Sequence, residues 1–132
     1  MATRMLNLAI VTPIFNDFEA FRTLCAEISK AAAVMPARLS AIGIDDGSSE
    51  PRMPAAEPDA ANLEGVEILR LICNLGHQRA IAVGLAEVAQ RHAYDAVIVM
   101  DCDAGAPFGL KLTLASASFS RNETESTLTS ML

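Results

Sequence analysis

Asp101 and Asp103 stand one residue apart at the end of an apolar run, AVIVMDCD over residues 96–103. Alternate side chains of an extended backbone share a face, so both carboxylates point the same way. Two hard oxygen donors side by side can share a divalent cation and leave coordination positions open for phosphate oxygens. Such a cation would neutralise a diphosphate leaving group. A solvated acidic turn is the plainer alternative, and the pair alone does not choose between them. A second acidic turn, Asp45-Asp46-Gly47-Ser48, follows another apolar run. Its carboxylates can accept hydrogen bonds from ribose hydroxyls or base N–H groups, and Gly47 permits close backbone approach. An Asx-type turn that merely closes the loop is the bland reading. A third polar cluster, Asn74-Leu75-Gly76-His77-Gln78-Arg79, leads from a turn into a helix. The amino end of that helix favours negative charge, and Arg79 can offer a bidentate fork to phosphate. His77 is either a polar contact at such a site or a surface histidine at a helix start. Neither GxxxxGK[ST] nor GxGxxG occurs, so a nucleotide would be held by acids and metal without a phosphate-cradling loop.

These clusters need elements to carry them. Residues 6–12 (LNLAIVT) form a branched apolar run before Pro13, as expected of a strand covered on both faces and stopped by the proline. From Phe18 to Val34 the apolar residues Phe18, Phe21, Leu24, Cys25 and Ile28 recur every three or four positions, which predicts a helix capped by Asn16 or Asp17. A second strand is expected over 39–44 and a surface excursion over 50–63, where three prolines fall. Residues 66–72 alternate as a third strand nearer a sheet edge. A helix over 78–92 follows, with Ile81, Leu85 and Val88 on its apolar stripe, and a fourth strand over 94–100. Gly84 inside that helix costs about 1 kcal/mol relative to alanine, which close packing on the sheet would explain. Strands and helices in this order predict an α/β fold, Rossmann-like, with a mainly parallel sheet and helices on both faces. Ligands of such sheets bind beyond the carboxyl ends of the strands, where all the polar clusters fall.

Composition narrows the function classes. The 132 residues suffice for one domain; 52% are hydrophobic and 20% charged, which favours a packed core over disorder. A formal net charge of −6 makes nucleic acid an unexpected partner, and an anionic ligand would need a local device such as a metal or a helix terminus. The three cysteines, Cys25, Cys73 and Cys102, form no CxxC pair and sit in apolar surroundings, so reduced buried thiols of a cytoplasmic protein are expected. The opening residues read as a first strand and not as a signal peptide. Residues 1–110 are expected to form the folded unit, and the Ser/Thr-rich stretch 111–132 a disordered tail or short helix.

Four motifs together carry a resemblance. Thr12-Pro13-Ile14-Phe15-Asn16-Asp17 resembles the P-x-[YF]-N-[ED] segment of inverting family 2 glycosyltransferases, enzymes of GT-A fold that use nucleotide-diphosphate sugars. Asp45-Asp46-Gly47-Ser48 resembles their DDGS, residues 74–84 their N-x-G-x-x-x-A-x-x-x-G, and Asp101-Cys102-Asp103 their DxD. The wording NLGHQRAIAVGL is most similar to the dolichyl- or undecaprenyl-phosphate sugar transferase branch. The resemblance implies a UDP- or GDP-sugar donor and a polyprenyl-phosphate or glycan acceptor. It further implies that Pro13 and Asp17 shape the base pocket and that Asp45 and Asp46 hold the nucleoside. Asp101 would face the ribose or metal, and Asp103 would ligate Mg or Mn; Gly76 and Arg79 join the donor-binding set. The resemblance also implies a cytoplasmic location, with the full-length relative peripheral to the inner face of the membrane.

The likeness stops after Asp103. Residues 104–109, AGAPFG, lack the acids that usually follow, and no later segment supplies a catalytic base, so the catalytic residue is unassigned. Truncation or an altered reading frame, and little transfer activity by this chain alone, are the corresponding expectations. Two other classes compete. A receiver-like signalling module would want an acid ending its third strand, where Leu71-Ile72-Cys73-Asn74 has none. A non-catalytic fragment could instead bind protein or form a homo-oligomer across an unpaired sheet edge.

Overall fold

The computed structural model describes residues 4–49 and 60–101. Cys102, Asp103, the stretch 111–132 and residues 50–59 of the expected excursion lie outside them. Six elements follow in order: β1 (Leu6–Ile14), α1 (Phe18–Ala32), β2 (Ala37–Asp45), β3 (Gly65–Arg70), α2 (His77–Arg91) and β4 (Ala96–Val99). The strands form one sheet in the order β3-β2-β1-β4, and every neighbouring pair is parallel. The fold is thus α/β and Rossmann-like, as the alternation of elements predicts.

Side-chain alternation decides which face each helix covers. Ile10, Ile14, Leu39 and Ala41 meet Phe18, Phe21, Cys25 and Ile28 of α1 on one face. Ala9, Val11, Ile42, Ile44 and Val97 meet Ala80 and Val88 of α2 on the other. The chain steps from β1 through α1 to β2 in one direction and returns from β3 through α2 to β4 in the reverse direction. Crossovers of a single hand then require the two helices to lie on opposite faces. Burial of each large side chain, such as Phe21 at 2% exposure, contributes about 2 kcal/mol.

Pro13 does not stop β1, which continues through it to Ile14. The direction of its missing N–H gives the reason. In a strand the backbone polar groups of successive residues point to alternate sides; Ile14 O accepts from Asp46 N on the β2 side, and Val11 O accepts from Met100 N on the β4 side. Pro13 therefore faces the β4 side, beyond the last paired residue there, Val99. No ladder bond is lost, which is the condition for proline in a strand.

The buried stripe of α2 also differs from the expected one. Ala80, Gly84 and Val88 are buried, while Ile81 and Leu85 are half-buried. A Cβ on Gly84 would come within 2.8 Å of both Ile44 Cγ1 and Val11 Cγ1, so the glycine lets the helix axis approach the sheet. Two ties fasten the other end of the sheet: Asp95 accepts from Asn7 N at 2.8 Å and pairs with Arg4 at 2.6 Å. Ser29 of α1 is bonded to Asn62, just ahead of β3. At the β3 edge, Arg91 bridges Glu67 and Glu87. Of the cysteines, Cys25 is buried as expected, but Cys73 is exposed, because β3 ends at Arg70 and residues 72–73 form a bend on the surface.

Candidate functional site

Each strand end contributes one loop to a common rim. β1 delivers Asn16, whose backbone takes the left-handed conformation (φ 55°) that asparagine tolerates better than most residues. Its N–H donates to Ser48 Oγ at 2.9 Å, and its side-chain oxygen accepts from Ser49 N at 2.8 Å. The loops after β1 and β2 are therefore stitched together. Asp17 caps α1, with Oδ1 accepting from Ala20 N at 3.0 Å; side-chain acceptors at this position satisfy one of the orphan amides of the first turn.

After β2 the two aspartates diverge. Asp45 Oδ1 accepts from Ser48 N at 3.0 Å, an Asx-type closure of the turn, and Arg70 Nε lies 3.9 Å from Oδ2. Asp46 turns toward the loop after β3: Oδ1 accepts from Leu75 N at 2.7 Å and Oδ2 from Gly76 N at 3.1 Å. Its carbonyl also accepts from Asn74 Nδ2 at 3.0 Å. Both aspartates are buried, at 4% and 3% exposure, and burial of such a charge is tolerable only with hydrogen-bond partners of this kind. Gly47 between these turns has φ +70°, and a Cβ there would strike Asn74 N and come within 2.7 Å of the Cys73 carbonyl carbon. Only glycine fits.

Gly76 precedes α2 with φ 92° and ψ 156°, a conformation open to glycine alone, and the helix has neither a side-chain cap nor an acid in its first turn. The partial positive charge of that terminus faces acids from elsewhere in the chain. Asp46 meets the amides just ahead of it, and Asp101, which follows β4, lies 3.0 Å from His77 Nε2. Pro13, Ile14, Phe15, Asp46, Asn74, Gly76 and His77 line an open cavity of about 270 Å³. It lies at the carboxyl ends of β1 and β2, near the switch point where β4 returns to the far side of β1, the usual binding crevice of such sheets.

Of the residues singled out in the sequence, Pro13, Asp46 and Gly76 line this cavity, and Asp101 reaches it through His77. Asp45 lies beneath the rim, Asp17 is occupied at the start of α1, and Arg79 is exposed on the first turn of α2; none of the three lines the cavity. Asp103 falls outside the described residues. Sequence reasoning missed the loop-to-loop roles of Asn16, Ser48 and Asn74. The signal was present in the asparagines at strand ends, whose amides are suited to bond neighbouring backbone.

Mg and Mn prefer hard oxygen ligands and commonly take only one or two from protein, the rest from phosphate and water. The half-exposed carboxylate of Asp101 is a donor of that type at the cavity rim. Among the described residues no three His, Cys, Asp or Glu side chains gather into a cage. Among the described residues no helix is long and apolar enough to cross a membrane.

No family model matches the chain. Over 102 residues, covering 73% of its length, the chain is 30% identical to YkoT, an uncharacterized glycosyltransferase of Bacillus subtilis (strain 168). The chain spans only 30% of that protein's length. It is thus a parallel-sheet α/β unit similar in sequence to part of a glycosyltransferase.

Proposed function

We propose that this chain is the donor-binding portion of a metal-dependent glycosyltransferase of family 2, taking a UDP- or GDP-sugar. The observation that carries this reading is the meeting of three strand-end loops, with Pro13, Asp46, Asn74 and Gly76, around one cavity whose rim holds His77 and Asp101. A volume of about 270 Å³ is near the lower bound of small-molecule sites, which suits a nucleoside with its phosphates and sugar extending over the rim. Phe15, half-exposed beside Pro13, offers a face on which a base can stack. Asp101 and Asp103 would hold Mg or Mn, the cation supplying charge neutralisation for the diphosphate. Arg79, exposed on the first turn of α2, would offer its guanidinium to a phosphate beyond the rim. A polyprenyl phosphate or glycan is the acceptor class that the sequence resemblance suggests.

Calorimetric titration of the 132-residue chain with UDP-glucose and GDP-mannose, in MnCl2 and again in EDTA, tests this. Saturable binding that disappears with the metal is the expected outcome. Heat-silent titrations with both donors would refute it and favour a non-catalytic, protein-binding module. Asp101→Asn should weaken metal-dependent binding by about tenfold or more, with an unchanged melting temperature because the side chain is half-exposed.

A further inference from the structure

Asp46 accepts two backbone hydrogen bonds through its side chain at the rim and is among the least accessible residues there. At 3% exposure it presents almost no surface to a ligand, whereas Phe15 is 54% exposed and the His77 side chain 53%. Its carboxylate holds Leu75 N and Gly76 N, its carbonyl holds the Asn74 side chain, and its N–H continues the ladder to Ile14 O at 2.8 Å. Gly47 packs directly on the backbone of Cys73 and Asn74. We infer that Asp46 is a positioning residue: its carboxylate fixes the segment 74–76 against the end of β2 and so sets where α2 begins, and those oxygens are not themselves ligands of the nucleotide.

The physical reason lies in what the segment would do without it. Gly76 sits in a glycine-only conformation at the start of a helix that has no side-chain cap, and a glycine there loses much conformational entropy on ordering. Two charge-assisted bonds to a desolvated carboxylate are among the stronger ties available to backbone amides. Once Gly76 is fixed, His77 follows as the first helical residue, and its imidazole reaches Asp101 at 3.0 Å. Asp46 thereby links the end of β2 to the acid beyond β4 through a single short loop. The role toward a ligand rests on the nucleotide-binding reading above; the latch itself does not.

Amide hydrogen exchange and nucleotide titration on the full chain test the two parts separately. In Asp46→Asn the side-chain oxygen can still accept from one amide, but the NH2 group meets the other donor. The ligand-free variant should therefore exchange its Gly76 amide at least about tenfold faster, Leu75 less so, with Val11 and Ile42 unchanged. Affinity for UDP or GDP in MnCl2 should fall by about tenfold. Asn74→Ala, a substitution at an exposed position, should move both readouts the same way by a smaller factor, and it serves should Asp46→Asn fail to fold. Lost nucleotide binding with Leu75 and Gly76 still protected would overturn the inference, since Asp46 would then contact the ligand itself. Freed amides with undiminished affinity would overturn it as well. A wild-type chain that binds neither nucleotide sinks the nucleotide reading and Asp46's role toward a ligand, while the exchange data still decide whether the latch exists.

Discussion

Gly47 and Gly65 form a natural pair of controls. Gly47 combines φ +70° with backbone atoms where a side chain would stand, whereas nothing lies within 4 Å of a Cβ on Gly65 and its φ is ordinary. Gly47→Ala should cost about 2 kcal/mol or more, read as a lower urea midpoint at constant m-value. Gly65→Ala, at the exposed start of β3, should lie within about 0.5 kcal/mol of wild type. The requirement at Gly47 was partly legible: a glycine after two aspartates reads as a tight turn. What the residue types could not convey is that the obstruction comes from Cys73 and Asn74, distant in sequence. The same limit applies to Asp46, which reads identically to Asp45 in the sequence yet bonds a different loop. Cys73 was expected inside because its neighbours Leu71 and Ile72 are apolar, but Ile72 is itself fully exposed, so local hydrophobicity misled at this bend.

At the level of elements, α2 rests on the sheet through its smallest residues. Gly84→Ala would gain about 1 kcal/mol of helix propensity, yet the new methyl would fall 2.8 Å from Val11 and Ile44. Overpacking of that kind costs about 1–3 kcal/mol, so net destabilisation is expected in chemical denaturation, with Ile44→Val partly relieving it in the double variant. The 3.6-residue period found both helices to within two residues at each end, but it placed the stripe of α2 on Ile81 and Leu85, since periodicity weighs large residues and close packing selects small ones. At the β3 edge the hydrogen bond from Arg91, then its charge, hold Glu67 below its usual 4.5, against the opposing effect of burial. A depressed carboxyl stabilises the folded state above its ordinary pKa, and that contribution is lost as pH falls through the lowered value. Glu67→Gln should therefore lower the melting temperature near neutral pH, by a small amount because the pair is solvent-screened. The difference should close as pH falls through that lowered value.

For the molecule as a whole, β1 and β2 carry the fully buried residues Ala9, Val11 and Ile44, whereas no residue of β3 is buried. Native-state hydrogen exchange should rank β1 and β2 slowest, β4 intermediate and β3 fastest; β3 amides as slow as those of β1 would contradict this packing. Class and element order were legible because short, largely apolar or alternating segments are separated by turn signals and by two stretches of helical period. Strand order was not, since nothing local in residues 96–99 says that they pair with residues 8–11 and not with β3. Pro13 hid the length of β1 for a related reason: its tolerance depends on where β4 ends.

The pairing of β4 with β1 has a consequence for biosynthesis. Leu8 to Val11 find their partners in Ala96 to Val99, the last strand among the described residues to be synthesised. Until Val99 clears the ribosome, β1, one of the two inner strands of the sheet, stands open along one side, with Ala9 and Val11 unpaired there. A nascent chain stalled before Ala96 would offer that apolar border to chaperones or to its neighbours on the same polysome.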